Sequence, residues 1–197
     1  MKIFKPLKQT MIIQGYGPAN TNASVMHFYQ ELGLIGHNGL DFSALYGFPG
    51  HPEVYFNVLG GKGIVQQVGT YVDGCKYVKI ITQEGGKIYQ HRYCHLWDFT
   101  VAAGDVLEGG ELIAHADNTG KYTTGQHLHY DLSEMKLNGN AYAYVYPTNG
   151  LGGQVDPMPF YENVFVGDYL KLLNQQIALL TKIIETIRKI LFLKVAG

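Results

Sequence analysis

A single change of pattern limits what this 197-residue chain can fold into. Up to residue 166 the apolar residues come in short alternating runs. Gly63–Val68, Tyr77–Ile81, Lys87–Tyr93 and Leu128–Leu132 are examples, each bounded by or close to Gly, Asp or Asn. From Asp168 onward neither glycine nor proline occurs until Gly197. Alternation with period two puts successive side chains on opposite faces of a strand, so the first stretch reads as a mainly β, antiparallel domain with long loops near both ends. Glu84-Gly85-Gly86-Lys87 falls between two such runs and reads as a hairpin turn, because glycine reaches the positive φ that tight turns need. Val106–Gly109 and Asn118–Gly120 read as further turns.

The second stretch reads as one long amphipathic α-helix with Asp168 as its N-cap. Leu170, Leu173, Ile177, Leu180, Ile184, Ile187 and Leu191 step alternately by three and four, the spacing of a heptad seam. Leu172, Leu179, Ile183 and Ile190 widen the apolar face beyond a two-stranded seam. Lys171, Lys182, Arg188, Lys189 and Lys194 oppose Asp168 and Glu185, so the segment is net +3 and the rest of the chain about −4. Packed only on its own β domain, a helix of roughly 40 Å would overhang it. The expected division is therefore a domain at 1–166 and a helix at 168–197 that makes a homo-oligomer through a bundle. An anionic membrane surface is the second choice, while Lys182, Glu185, Arg188 and Lys189 interrupt any bilayer span.

Composition excludes other classes. With 15 Tyr, 9 Phe and only 16% charged residues, the chain is not a disordered one. A formal net charge of −1 gives no basic field to hold nucleic acid. Cys75 and Cys94 are too few for a disulfide scaffold and lack zinc-ribbon spacing, although one bridge between them stays open. The first residues lack the apolar run of a Sec-type signal peptide, and no run has the length of a spanning helix.

Eight histidines occur, and three short elements give some of them a chemical context. In Gly36-His37-Asn38-Gly39-Leu40-Asp41, a histidine and a carboxylate four apart converge on one metal if the loop curls at Gly39; alone, this is as readily a simple turn. In Thr124-Gly125-Gln126-His127-Leu128-His129-Tyr130-Asp131, a strand would aim His127 and His129 to one face and Leu128 and Tyr130 to the other. In Tyr93-Cys94-His95-Leu96, His95 lies at a strand end and joins the same groove. Cys94 then points to the opposite side, as packing or as a partner for Cys75.

H-x-G-x-D at His37–Asp41, Y-x-H-L at Tyr93–Leu96 and H-L-H at His127–His129, in that order, resemble lysostaphin/LytM-type zinc endopeptidases. The stretches Val101-Ala-Ala-Gly-Asp-Val-Leu-Glu-Gly-Gly, Asn118-Thr-Gly and Val155-Asp-Pro-Met-Pro-Phe extend the resemblance over roughly residues 10–160. It implies an antiparallel β domain with a substrate groove and one zinc ion, cutting peptide bonds of bacterial peptidoglycan. His37, Asp41 and His129 would be the metal ligands, and His95 and His127 the catalytic pair beside them. Asp131 stands where such sequences often have Glu, and Ala114-His115-Ala116 replaces a commonly smaller stretch, leaving His115 as a surface histidine or an extra groove residue.

The residue types suit that chemistry. Two imidazoles and a carboxylate leave zinc positively charged with an open fourth position. No glutamate adjoins a ligand as in H-E-x-x-H, so His95 and His127 are the groups left to handle protons. Tyr16 and Tyr46 read as groove lining or core packing alike. A glycine bridge and a D-alanyl–diamino-acid link both fit as the bond cut. The absence of a signal peptide suggests phage-delivered or virion-associated action on the cell wall, otherwise secretion by a non-Sec route. A non-catalytic LytM-like module, binding wall or activating an amidase, is the alternative; such modules typically lack ligands that are all filled here.

Overall fold

The computed structural model describes residues 1–44, 50–59 and 62–195, with side chains through residue 190. In chain order the elements are β1 (Lys2–Lys5), β2 (Ile12–Gln14), a short helix α1 (Met26–Glu31), β3 (Leu40–Ser43), β4 (Glu53–Tyr55) and β5 (Val58–Leu59). Then come β6 (Gly63–Thr70), β7 (Lys76–Glu84), β8 (Lys87–Cys94), β9 (Val106–Leu107), β10 (Leu112–His115) and β11 (His127–Asn138). β12 (Ala141–Tyr144), β13 (Gln154–Val155), β14 (Tyr161–Phe165) and the long helix α2 (Val166–Val195) close the chain.

The main sheet has nine strands in the order β2-β3-β11-β8-β7-β6-β9, with β12 and β13 also pairing to β11. Its pairs are all antiparallel. The fold is thus mainly β, as the alternating runs indicate. Gly85 and Gly86 both take positive φ (57° and 78°) between β7 and β8, the requirement of a two-residue turn matching strand twist. Val106–Leu107 is not turn but strand, because it pairs with Gly63 and Ile64 of β6 and turns only afterwards.

β11 shows how alternation fixes the faces. Leu128, Tyr130 and Leu132 are fully buried in the main core with Leu40, Phe42, Tyr93 and Ile80. Each large apolar side chain so buried stabilises the fold by about 1.5–3 kcal/mol. Register slippage by one residue would turn this set toward the groove and the histidines into the core, so the pairing is strongly determined. His91, on β8, belongs to that core: it is fully buried between Thr82 Oγ1 (2.9 Å) and the Tyr130 hydroxyl (2.7 Å), and burial pushes its pKa down to about 3.

α2 begins at Val166 rather than at an Asp168 cap. Val166 is itself buried, which draws the chain into helix early and leaves the Asp168 carboxylate in the first turn, favourable to the helix dipole. Tyr169 packs on Phe4, with ring centroids 4.7 Å apart, and Leu170 lies against Gly110. From Lys171 to Ile190 every residue is exposed. Only the first turn is docked on the β domain. Among the described residues no helix is long and apolar enough to cross a membrane.

Candidate metal centre

The strand register assembles the centre. Asp41 on β3 and His129 on β11 are directly paired, and His127 lies two residues along β11 on the same face. His37 reaches the site from the loop before β3. Its backbone is bridged to Gly17, its N–H donates to Thr21 Oγ1 (2.6 Å), and its carbonyl accepts from Gly17 N–H (2.7 Å). Gly39 serves here through space rather than through a positive φ. A Cβ would sit 2.9 Å from His129 Cε1 and closer still to the Tyr130 carbonyl, so no side chain fits between the loop and β11.

Three ligand atoms meet in a tight triangle. His37 Nε2 is 3.0 Å from Asp41 Oδ1 and 3.0 Å from His129 Nδ1, and the last two are 2.9 Å apart. The tautomers follow from the outer partners. His37 Nδ1–H donates to the Gly15 carbonyl (2.8 Å), and His129 Nε2–H donates to Asp131 Oδ2 (3.2 Å). In the neutral rings, two nitrogen lone pairs and a carboxylate oxygen therefore face one another with no hydrogen between them. Such a set is repulsive unless a cation or a proton stands in its middle. Tetrahedral zinc with bonds of roughly 2.0–2.1 Å asks for ligand atoms roughly 3.3 Å apart, close to what is found. The residues fit a zinc ion, and the three are nearly buried.

The electrostatics agree. Burial works against charge on Asp41, but His37 and His129 outweigh it and hold its carboxyl well below the usual range. Burial likewise opposes charge on His129, yet its hydrogen bonds to Asp131 and Asp41 raise its pKa to about 9.

Behind His129 runs a chain of support that starts at Asp131, two residues along β11. Asp131 is fully buried; its Oδ2 also accepts from Arg92 Nε (2.6 Å), whose Nη1 donates to the Tyr71 hydroxyl (3.2 Å). The available signal was strand period: Asp131 lies two residues beyond His129, hence on the same face.

His95 and His127 adjoin the triangle. Their ring centroids are 4.6 Å apart, and His127 Nε2 is 3.7 Å from Asp41 Oδ1. His95 Nδ1–H donates to the Thr119 carbonyl (2.7 Å) and His127 Nδ1–H to the Gly125 carbonyl (2.7 Å), so Nε2 of each ring can act as a base when it carries no proton and as a donor once it has taken one up. Burial lowers the pKa of His127. His95 has φ of 63°, the non-glycine residue with positive φ among those described. Its backbone is pinned on both sides, since its carbonyl accepts from Asp117 N–H and Leu96 N–H donates to the Lys76 carbonyl.

That backbone reversal corrects the expected placement of Cys94. Alternation would put Cys94 and His95 on opposite sides, but the left-handed residue re-aims the chain. Cys94, paired with His129 in the ladder, lines the same groove as His95. The groove is a cavity of about 810 Å³ bordered by Asp41, His95, His127 and His129 at its polar end and by Phe28, Tyr29, Leu32 and Leu34 elsewhere. Cys75 and Cys94 are free thiols. His115 does not line this groove; its Nδ1 bonds to Asp98. Tyr16 packs against the core and donates to the Gln154 carbonyl (2.9 Å), whereas Tyr46 lies outside the described residues.

A sheet of this topology with this cluster defines a class, and comparison with known proteins gives it a name. Residues 35–143, more than half of the chain, match Peptidase family M23, and the chain belongs to that family. Among similar proteins is the glycyl-glycine endopeptidase ALE-1 of Staphylococcus capitis, 28% identical over 155 residues, covering 78% of this chain and 34% of the relative. Another is the peptidoglycan DD-endopeptidase ShyB of Vibrio cholerae, 33% identical over 99 residues, covering 50% of this chain and 21% of the relative. The chain thus spans about a third or less of the length of these relatives. The structure of lysostaphin from Staphylococcus simulans shares the fold, with a TM-score of 0.52 at 23% identity over 78% of this chain and 50% of that one. So does a chain from the complex of SpoIIIAH and SpoIIQ, with a TM-score of 0.52 at 14% identity over 81% of this chain and 99% of that one. Fold likeness spans differently described proteins, so function has to be argued from the side chains.

Proposed function

We propose that this chain is a zinc-dependent endopeptidase that hydrolyses peptide cross-links or stem peptides of bacterial peptidoglycan. The observation that carries the proposal is the triangle of His37 Nε2, Asp41 Oδ1 and His129 Nδ1, three inward-facing acceptors 2.9–3.0 Å apart with their tautomers fixed from outside. The names of ALE-1 and ShyB, a glycyl-glycine and a DD-endopeptidase, support peptidoglycan as the substrate and the cell wall as the place of action.

His37, Asp41 and His129 would hold the metal. A zinc ion so bound supplies Lewis acidity, which lowers the pKa of water toward ~7 and polarises a peptide carbonyl. His127, whose Nε2 faces Asp41, takes up the proton of the attacking water. His95, held by Thr119, carries a proton at Nε2 to the departing amine or supports the developing oxyanion. The apolar side of the groove seats the peptide and excludes water. All five positions being filled, the groove favours catalysis over the non-catalytic wall-binding alternative. α2 would serve assembly, its seam joining copies of the chain.

Zinc analysis of the purified protein, combined with mass spectrometry of fragments released from purified walls, tests the reading. His129→Ala should lose both metal and hydrolysis. His127→Ala should retain most of its zinc while hydrolysis falls by about 10²–10⁴. Full activity in zinc-replete His127→Ala would overturn its role, and activity in zinc-free wild-type protein would overturn the whole.

A further inference from the structure

Two segments from opposite sides of the sheet meet above the metal centre. α1 stands on the β2 side, where Gln14 Nε2 donates to the Tyr29 hydroxyl (2.5 Å). The segment before β11 is anchored on the β7 side. There Thr119 Oγ1 accepts from Lys76 N–H (3.1 Å) and donates to the Leu96 carbonyl (2.9 Å). In the sheet order β3, β11 and β8 lie between β2 and β7, and they carry Asp41, His129 and Cys94. Yet the two segments touch. Lys121 Nζ donates to Glu31 Oε2 (3.1 Å), and the rings of Tyr122 and Phe28 meet edge to face with centroids 5.9 Å apart. A contact joining these two sides crosses over the strands that hold the metal triangle. Phe28, Tyr29 and Tyr122 line the cavity of about 810 Å³ from the two arms, and His37, Asp41, His95 and His129 are all buried.

We propose that α1 and residues 118–124 form a gate over the metal centre, latched by Glu31 with Lys121 and by Phe28 with Tyr122, which has to part before a wall peptide enters. Sheet, arms and latch together enclose the cavity. A peptide with a free end can thread such a passage, but a cross-link attached to polymer at both ends cannot. It has to enter sideways, through the latch. The consequence for hydrolysis rests on the function proposed above; the coupling of the two arms does not.

The latch is suited to opening. Both members of the ion pair are largely exposed, 48% for Glu31 and 63% for Lys121, so water and salt weaken their attraction. Gly120, with φ of 103°, joins the anchored Thr119 to the latch residues, and a swing of the tip can begin there. Thr119 itself stays fixed, so its carbonyl keeps hold of His95 while the tip moves.

Hydrogen–deuterium exchange and wall hydrolysis are measured on the full chain carrying Glu31→Lys, Lys121→Glu or both. Each single reversal sets like charges against each other at the latch. Amide exchange should then rise by about two- to five-fold in α1 and in residues 118–124 together. The double variant restores opposite charges and should return both arms to wild-type exchange. Hydrolysis of purified walls should rise by a similar factor in both single variants and fall back in the double. The two reversals change net charge in opposite directions, so simple attraction to a charged wall would raise one rate and lower the other. That pattern would overturn the gate, as would exchange that rises in one arm alone or in neither, or a double variant that stays open. A wild type that cuts no walls would refute the proposed hydrolysis, and exchange would still decide whether the arms are latched.

Discussion

At the scale of single residues, the centre depends as much on what holds the histidines as on the histidines. His129 is oriented by Asp131, and Asp131 by Arg92. Asp131→Asn keeps the volume but can turn an amide N–H toward His129 Nε2, and zinc affinity should fall about 10–100-fold in competition with a chelator. Gly39→Ala should be worse than its size suggests, since the new methyl group meets the His129 ring and the Tyr130 carbonyl. Loss of both zinc and melting temperature is the expected result. His91 makes a separate prediction about acid. Its folded pKa of about 3 lies below the ordinary 6.5, so the unfolded chain binds the proton more readily. The neutral ring's contribution is complete above about pH 6.5 and is lost as pH falls toward about 3. Melting temperatures of His91→Phe between pH 7 and 4 should fall less steeply than those of the wild type.

Much of this was legible in the sequence, residue by residue. The shared face of His127 and His129 follows from strand period alone, and the buried Leu128 and Tyr130 stand on the other side as that period requires. What strand period could not show is where it breaks. Nothing in Tyr93-Cys94-His95-Leu96 announces a positive φ at His95, because the backbone pins come from Asp117 and Lys76, distant in the chain. The carbonyls of Gly15, Thr119 and Gly125 carry no residue-type signal either, since any residue offers one.

At the scale of elements, β11 carries both the core and the site. Leu128→Ala should destabilise the domain by about 2–5 kcal/mol in denaturant titration, because a fully buried side chain leaves a cavity. The same change should loosen the histidines on either side. α2 differs in kind. It starts two residues before the Asp168 cap that the sequence suggests because burial of Val166 is a tertiary effect, whereas its length and its apolar stripe are properties of the local sequence. With residues 171–190 exposed, Leu173, Ile177, Leu180, Ile184 and Ile187 lack cover from their own domain. Sedimentation should show an oligomer for the intact chain and a monomer after removal of residues 171–197. A monomer in both would remove the assembly role.

At the scale of the whole molecule, the ends of the β domain are clasped together. β1 pairs in parallel with β14, and the Tyr16 hydroxyl donates to the Gln154 carbonyl. Metal binding should be felt across this unit. Zinc at 100 times its dissociation constant adds about 2.7 kcal/mol to stability, and for a domain of this size each kcal/mol moves the melting temperature by about 2–4 °C. Scanning calorimetry with and without a chelator should show that difference, and His37→Ala should show none. The clasp also bears on anyone trimming the gene. The stretch matching the family begins at residue 35, yet the oxygen that sets the His37 tautomer belongs to Gly15 and the hydroxyl that holds its amide to Thr21. Cutting at the family boundary would leave the histidine in place and discard its grip, so a fragment that looks complete on an alignment should bind metal poorly.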